Sequence, residues 1–204
     1  VLPGGVKLPD DAAIALAALP DHARVGTGSP RRQAHLRRFR PDLRLEDVRG
    51  NVETRLKKLD DGRYDALVLA EAGLSRLDLN DRISARLLPP VLLPAVGQGA
   101  LGIECRDDDE TTCSKLSLLE DVATRAGVTA ERAALATLRA GCHAPVGVDT
   151  NIDGERLRIE VVVLSLDGTR RFAAVADGDR SDAMQIGRRA AESLLENGAG
   201  AVLR

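Results

Sequence analysis

Arg31 and Arg32 stand where two cations are electrostatically out of place. Ser29 reads as a helix N-cap, its side-chain oxygen accepting from a backbone N–H of the first turn, and Pro30 takes the first helical position, where a missing N–H costs nothing. A helix N-terminus carries a partial positive charge and unpaired N–H groups, so two added cations repel it. The pattern recurs at Arg49-Gly50-Asn51, with Asn51 as a second N-cap and Arg55 about one turn on. Two cationic helix starts make electrostatic sense when an anion sits between them. Arginine is the residue for a carboxylate partner, because its planar fork pairs bidentately and stays charged at any working pH.

The elements needed to gather these groups are legible in order. Val1–Pro9 is a connector rich in Gly and Pro, and a short helix capped by Asp10 or Asp11 runs to Leu19. Arg24-Val25-Gly26 ends a strand that feeds the Ser29 helix, which stops near Phe39 before Pro41. A second strand around Leu43–Val48 leads to the Asn51 helix and a turn at Gly62. Ala66-Leu-Val-Leu-Ala70 is a continuous apolar run, as in a strand buried on both faces, and leads into a helix over Glu71–Leu77 that carries Arg76. This alternation predicts a parallel α/β sheet. Ligands of such sheets sit beyond the carboxyl ends of the strands, where Arg31, Arg32, Arg49, Arg55 and Arg76 are expected to gather.

Pro89-Pro90 and Pro94 mark a boundary. Beyond it we expect a strand at Ala100–Cys105 and helices over Asp109–Asp121 and Thr129–Ala140, with Gly141 closing the last of these and leaving Cys142 on a loop. Two further strands, Arg156–Ser165 and Arg170–Asp177, flank the turn signal Asp167-Gly168, and an amphipathic helix spans Asp182–Asn197.

Bulk properties narrow the function. The 204 residues are 44% hydrophobic, so one large or two small domains with true cores are possible. Aromatics are 1%, which argues against the stacking platforms of single-stranded nucleic-acid binders, and a net charge of −2 gives no field to attract a polyanion. No apolar run is long enough to span a bilayer and no signal-peptide pattern is present. Cys105, Cys113 and Cys142 are odd in number and lack metal-ligand spacing, which fits a reducing, cytoplasmic setting. His22, His35 and His143 show no ligand spacing either, so no metal is expected. The chain opens Val-Leu-Pro-Gly-Gly rather than with Met, as a piece of something longer would.

Several residues have bland readings. Arg37, Arg38, Arg40 and Arg44 look like a solvated helix face and its exit. Cys142 taken alone is a small buried hydrophobe, as are Cys105 and Cys113. Gly97-Gln98-Gly99 lacks the Gly-Lys-Ser/Thr of a nucleotide loop, and Gln98 is better suited to polar contacts at a hinge. Glu131, placed near the start of its helix, is explained by the macrodipole.

Four ordered blocks resemble the porphobilinogen deaminase family: Gly26-Thr-Gly-Ser-Pro-Arg-Arg-Gln33, Val48-Arg-Gly-Asn-Val-Glu-Thr-Arg-Leu56, Leu93-Pro-Ala-Val-Gly-Gln-Gly-Ala-Leu-Gly-Ile-Glu-Cys-Arg106 and Ala140-Gly-Cys-His-Ala-Pro-Val-Gly147. The resemblance implies head-to-tail joining of four porphobilinogen units, with release of ammonia, on a dipyrromethane primer held through a thioether at Cys142. It assigns Arg31, Arg32, Ser29 and Thr27 to the cofactor and Arg49, Arg55, Arg76 and Gln98 to the substrate. It also implies a periplasmic-binding-protein-like (type 2) α/β domain over residues 1–94 with a parallel-rich sheet. Residues 95–120 form a hinge and returning segment, and residues 121–204 a small α+β domain carrying the cysteine. A monomer when full length, without nucleic-acid or membrane partners, is expected, with porphobilinogen as the small-molecule substrate.

Departures are Gly28 where a second Ser is usual, Pro30 for Leu, and His143 for Gln. The family's preceding segment, with its proton-handling aspartate, has no match here. The chain alone is therefore expected to lack catalysis, and the Ala100–Cys105 strand, left without a partner, to become an exposed edge or rearrange. The alternative from another class is a non-catalytic, periplasmic-binding-like module that grips a carboxylate ligand.

Overall fold

Short apolar runs bounded by turn residues make the first sheet. The computed structural model describes residues 1–141 and 143–203. Strands β1 (Arg24–Gly26), β2 (Arg44–Glu46) and β3 (Ala66–Leu67) pair in parallel in the order β2-β1-β3. Helix α1 (Ala12–Ala17) precedes them; α2 (Pro30–Phe39), α3 (Val52–Asp60) and α4 (Glu71–Ser75) follow the strands in turn. Val25, Leu36, Leu43 and Ala66 form one buried cluster with Leu16 and Leu19, and Val48, Leu59, Tyr64 and Leu67 form another. The apolar run after Asp65 yields only a two-residue strand, because beyond Leu67 the chain keeps one more ladder bond, Val68 N–H to the Gly26 carbonyl at 3.1 Å, and then turns toward α4.

The predicted strand over Ala100–Cys105 does not form. Leu101 is 90% and Ile103 61% exposed, and no strand lies beside the segment to complete a ladder. Helix α5 (Glu110–Ser117) begins on Asp109, which accepts from the Thr112 N–H at 3.0 Å.

The second sheet is antiparallel: β4 (Val146–Asp153), β5 (Arg156–Leu164) and β6 (Arg171–Asp179), in that order. The sequence reading missed β4, although Asp153-Gly154 carries the same turn signal as Asp167-Gly168. Helix α6 (Val122–Thr137) starts on Asp121 rather than near Thr129; the Asp121 side chain accepts from the Thr124 N–H at 2.7 Å. Gly127 interrupts the apolar pattern there without breaking the helix. At the other end Arg139, with φ 51°, takes the left-handed position assigned to Gly141. α6 and α7 (Ala183–Glu196) cover one face of this sheet around Leu157, Ile159, Val161, Ile186 and Leu194.

The two sheets meet through α2. Ala34 and Leu93 pack with Val162 and Leu164, and the Pro94 carbonyl accepts from the Val148 N–H at 2.9 Å. Arg37 Nη1 donates to the Leu166 carbonyl at 2.6 Å, so it is a docking residue rather than a free surface charge. Arg40 is likewise structural, donating to the Leu16 and Leu19 carbonyls at 2.8 and 3.1 Å and pairing with Asp42 at 2.7 Å. None of the described helices is long and apolar enough to cross a membrane.

Gly187 on α7 is where that helix lies closest to α6, since a Cβ there would overlap the Ala130 carbonyl oxygen. Backbone must move to admit even a methyl group. Gly187→Ala should therefore cost about 2–3 kcal/mol, read as a lowered denaturant midpoint at unchanged slope.

Candidate functional site

Both expected helix caps form. Ser29 accepts from the Arg32 N–H at 3.4 Å with Pro30 in the first turn, and Asn51 accepts from the Thr54 N–H at 2.8 Å. These caps set α2 and α3 starting at the carboxyl edge of the first sheet, directly after β1 and β2. Thr27 is buried at that edge; its Oγ1 accepts from the Ser29 N–H at 3.4 Å, and its carbonyl accepts from Gln33 Nε2 at 2.8 Å.

Arg31 points inward and is 6% exposed. Its Nη1 donates to the Leu93 carbonyl and its Nη2 to Gln98 Oε1 at 3.4 Å. Burial, with a smaller push from the neighbouring Arg32, lowers its pKa to about 10. Arg32 Nη1 donates to the Val68 carbonyl at 3.0 Å, and its pKa is lowered by burial and then by Arg55. Arg55 Nε donates to the Gly50 carbonyl at 2.7 Å. None of Arg31, Arg32, Arg49, Arg55 and Arg76 forms an ion pair among the described residues. The partners of Arg31, Arg32 and Arg55 are neutral oxygens, which satisfy N–H donors and leave the charge uncompensated.

Arg31, Arg32 and Gln98 line one cavity of about 210 Å³, walled on its apolar side by Leu67, Leu69 and Leu92. The carboxylate in that wall, Glu71, is taken by Arg86 Nε at 2.7 Å. Arg49 and Arg76 are exposed and outside the cavity wall: Arg49 precedes the α3 cap, and Arg76 caps the C-terminus of α4. The structure thus brings Arg31, Arg32 and Gln98 together and keeps Arg55 within electrostatic reach of Arg32, whereas Arg49 and Arg76 stay exposed outside the cavity wall, Arg49 just after β2 and Arg76 at the C-terminal end of α4. Cys142 lies outside the described residues.

Glu131 departs from its expected place. It is the tenth residue of α6, far from the positive end, so the macrodipole does not explain it. It is 8% exposed, and its Oε2 accepts from the Gly97 N–H at 2.6 Å. The signal was present: Gly127, Glu131, Ala134 and Leu138 share a helical stripe, so the carboxylate had to face inward. His35, one turn after Arg31, was likewise passed over. It is 2% exposed, its Nδ1 lies 3.2 Å from the Val91 carbonyl, and its Nε2 has no partner among the described residues. A carbonyl only accepts, so Nδ1 carries the proton and the bare Nε2 faces Gly147 of β4, where a Cβ would stand 3.1 Å away.

Fold and cavity together define a two-sheet α/β protein with an arginine-walled cavity at the carboxyl edge of its parallel sheet. The family model described as porphobilinogen deaminase, dipyromethane cofactor binding domain, matches residues 6–114, and that described as porphobilinogen deaminase, C-terminal domain, matches residues 126–196. The chain is 48% identical over 200 residues to the porphobilinogen deaminase of a Roseiflexus species, covering 96% of this chain and 66% of that one. It is 52% identical over 188 residues to the Xanthomonas oryzae protein of the same name, covering 92% and 62%. It is 48% identical over 190 residues to that of a Synechococcus strain, covering 93% and 60%. The chain belongs to the porphobilinogen deaminase family, and it spans just under two thirds of the length of these relatives.

His35 makes stability depend on pH. Burial, then the Arg31 charge, lowers its pKa from 6.5 to about 4 against the opposing bond from Val91. As pH falls through 6.5 the unfolded chain binds a proton that the folded one refuses until about 4, so stability drops across that window and levels off below it. The full loss is about 3 kcal/mol. His35→Gln should flatten the unfolding midpoint between pH 6.5 and 4 relative to wild type; an unchanged slope would assign the window to other groups.

Proposed function

We propose that this chain forms the second and C-terminal parts of a hydroxymethylbilane synthase, a transferase of tetrapyrrole biosynthesis acting in the cytoplasm. One observation carries the reading: a buried and a half-buried guanidinium, neither paired with a carboxylate among the described residues, face one cavity inside the segment matched by the cofactor-binding family model. Porphobilinogen bears acetate and propionate arms, so a growing chain of such units is a polycarboxylate needing several fixed cations.

On this reading Arg31 and Arg32 hold carboxylates of a dipyrromethane primer, with the Ser29 and Thr27 hydroxyls on the same loop. Arg49, Arg55 and Arg76 receive incoming acidic arms, and Gln98 orients Arg31. The primer, attached through Cys142, supplies a fixed end from which elongation proceeds. The protein residues bind and orient acidic arms, and the apolar wall of Leu67, Leu69 and Leu92 keeps water from the ring faces. Residues 1–94 serve as the periplasmic-binding-like (type 2) domain, 95–120 as the hinge and returning segment, and 121–204 as the domain carrying the cysteine. Proton transfer during deamination is not among this chain's tasks, because Glu71, the carboxylate at the cavity, is committed to Arg86.

Two measurements test the reading. Intact mass of the natural polypeptide should show a dipyrromethane addition that Cys142→Ser abolishes; a bare thiol in both would support a non-catalytic carboxylate-binding module instead. In calorimetry, the 204-residue chain should bind porphobilinogen without forming hydroxymethylbilane. Arg31→Met and Arg32→Met should each weaken that binding about 10- to 100-fold, the worth of a charge-assisted hydrogen bond. Arg49→Leu should weaken it with little change in thermal unfolding; product formation at an enzymatic rate, or a large stability loss in Arg49→Leu, would overturn these assignments.

A further inference from the structure

We propose that Glu131 is a positioning residue for the anion site: its carboxylate fixes the turn that holds Gln98 against Arg31. This rests on the reading that Arg31 faces the ligand.

The connection is continuous. Glu131 projects from the middle of α6 into a cavity of about 330 Å³ whose opposite wall is the Gly97-Gln98-Gly99 turn. One oxygen accepts from the Gly97 N–H at 2.6 Å and the other from Thr150 Oγ1 of β4 at 2.5 Å. Gly97 has φ 68°, a left-handed conformation costly for other residues, and there its N–H reaches the carboxylate. The next residue is Gln98, whose Oε1 accepts both from the Ala95 N–H at 3.3 Å and from Arg31 Nη2 at 3.4 Å. The other half of Arg31 is held by the Leu93 carbonyl, and Pro94 is held by the Val148 N–H at 2.9 Å. The segment from Leu93 to Gln98 is thus strung between the second sheet and α2, and the Glu131 bond to Gly97 anchors its far end.

Charge explains the choice of group. A carboxylate given directly to Arg31 would neutralise the site. Spent on a backbone N–H and a hydroxyl, the same carboxylate stiffens the turn and leaves the guanidinium free to meet an acidic ligand. Gly127, one turn earlier on α6, lies beside the same Thr150 side chain, so the helix passes close to β4 at this point.

The test compares Glu131→Ala, Glu131→Asp and Glu131→Gln in the 204-residue chain, by hydrogen exchange at the Gly97 amide and at the Arg31 guanidinium. Glutamine keeps both bonds, accepting from Gly97 and donating to Thr150, whereas aspartate keeps the charge but is one methylene short. Alanine and aspartate should speed exchange at both places about tenfold, as expected for loss of a charge-assisted hydrogen bond, and glutamine should stay within about twofold of wild type. In porphobilinogen calorimetry Glu131→Ala should weaken binding about threefold to tenfold, and adding Gln98→Ala should cause no further loss, because both act through one contact. Faster exchange at Gly97 with Arg31 unchanged, a glutamine variant as damaged as alanine, or multiplying losses in the double variant would overturn the proposal. If the alanine variant does not fold, Glu131→Asp and Thr150→Val carry the same measurements. Absence of porphobilinogen binding in the wild-type chain would sink the functional reading, while the exchange data would still decide the positioning role.

Discussion

A guanidinium buried without a counter-charge is the constraint around which this structure is arranged. Taking a cation out of water costs several kcal/mol even after relaxation, and a partner carboxylate is the usual remedy. Among the described residues Arg31 has none; a main-chain carbonyl and an amide oxygen satisfy its donors and leave its positive charge intact. Arg32 repeats the arrangement with the Val68 carbonyl. Hydrogen-bond satisfaction and charge neutralisation have been separated, which is what an anion site requires. Elsewhere arginines behave conventionally: Arg24, Arg40, Arg82 and Arg180 all sit on carboxylates. The contrast within one chain makes the bare pair informative.

That constraint ties the site to the junction between the two sheets. Helix α2 presents Arg31 and Arg32 at its first turn, while Ala34, His35 and Arg37 on the next turns meet Val162, Gly147 and Leu166. The carbonyl that holds Arg31 belongs to Leu93, whose side chain is itself in the inter-sheet cluster. Movement of one sheet against the other would therefore be felt at the guanidinium. The neutral His35 behind it follows from the same crowding, since a second protonated base so near Arg31 would add repulsion to burial.

Legibility from sequence followed the locality of the cause. Ser29, Pro30 and Asn51 act on their own first turns, so both caps could be read directly, and so could the alternation that produced the parallel sheet. The family resemblance was likewise carried by contiguous blocks. What failed depended on partners distant in sequence. Ala100–Cys105 has the composition of a strand but needs a ladder to become one. Strand β4 draws its definition from β5, with only Asp153-Gly154 as a local clue. The start of α6 lies further upstream than its apolar pattern suggests, because Gly127 looks like an interruption while the helix capped by Asp121 runs through it. Arg37 and Arg40 were read as solvated because their acceptors are backbone carbonyls, which no sequence pattern advertises.

Arg49 and Arg76 test how far the electrostatic logic extends. They lie outside the cavity wall and remain in water, where a guanidinium–carboxylate pair is worth little, typically under about 1 kcal/mol. A small anion alone would gain almost nothing from them. A ligand that fills the 210 Å³ cavity and extends beyond it would exclude solvent from the approach and raise the worth of those outer charges as it covers them. On the proposed reading, the division between the inner pair and the exposed outer arginines fits a long polyacid better than a single carboxylate, with one end anchored by the inner pair.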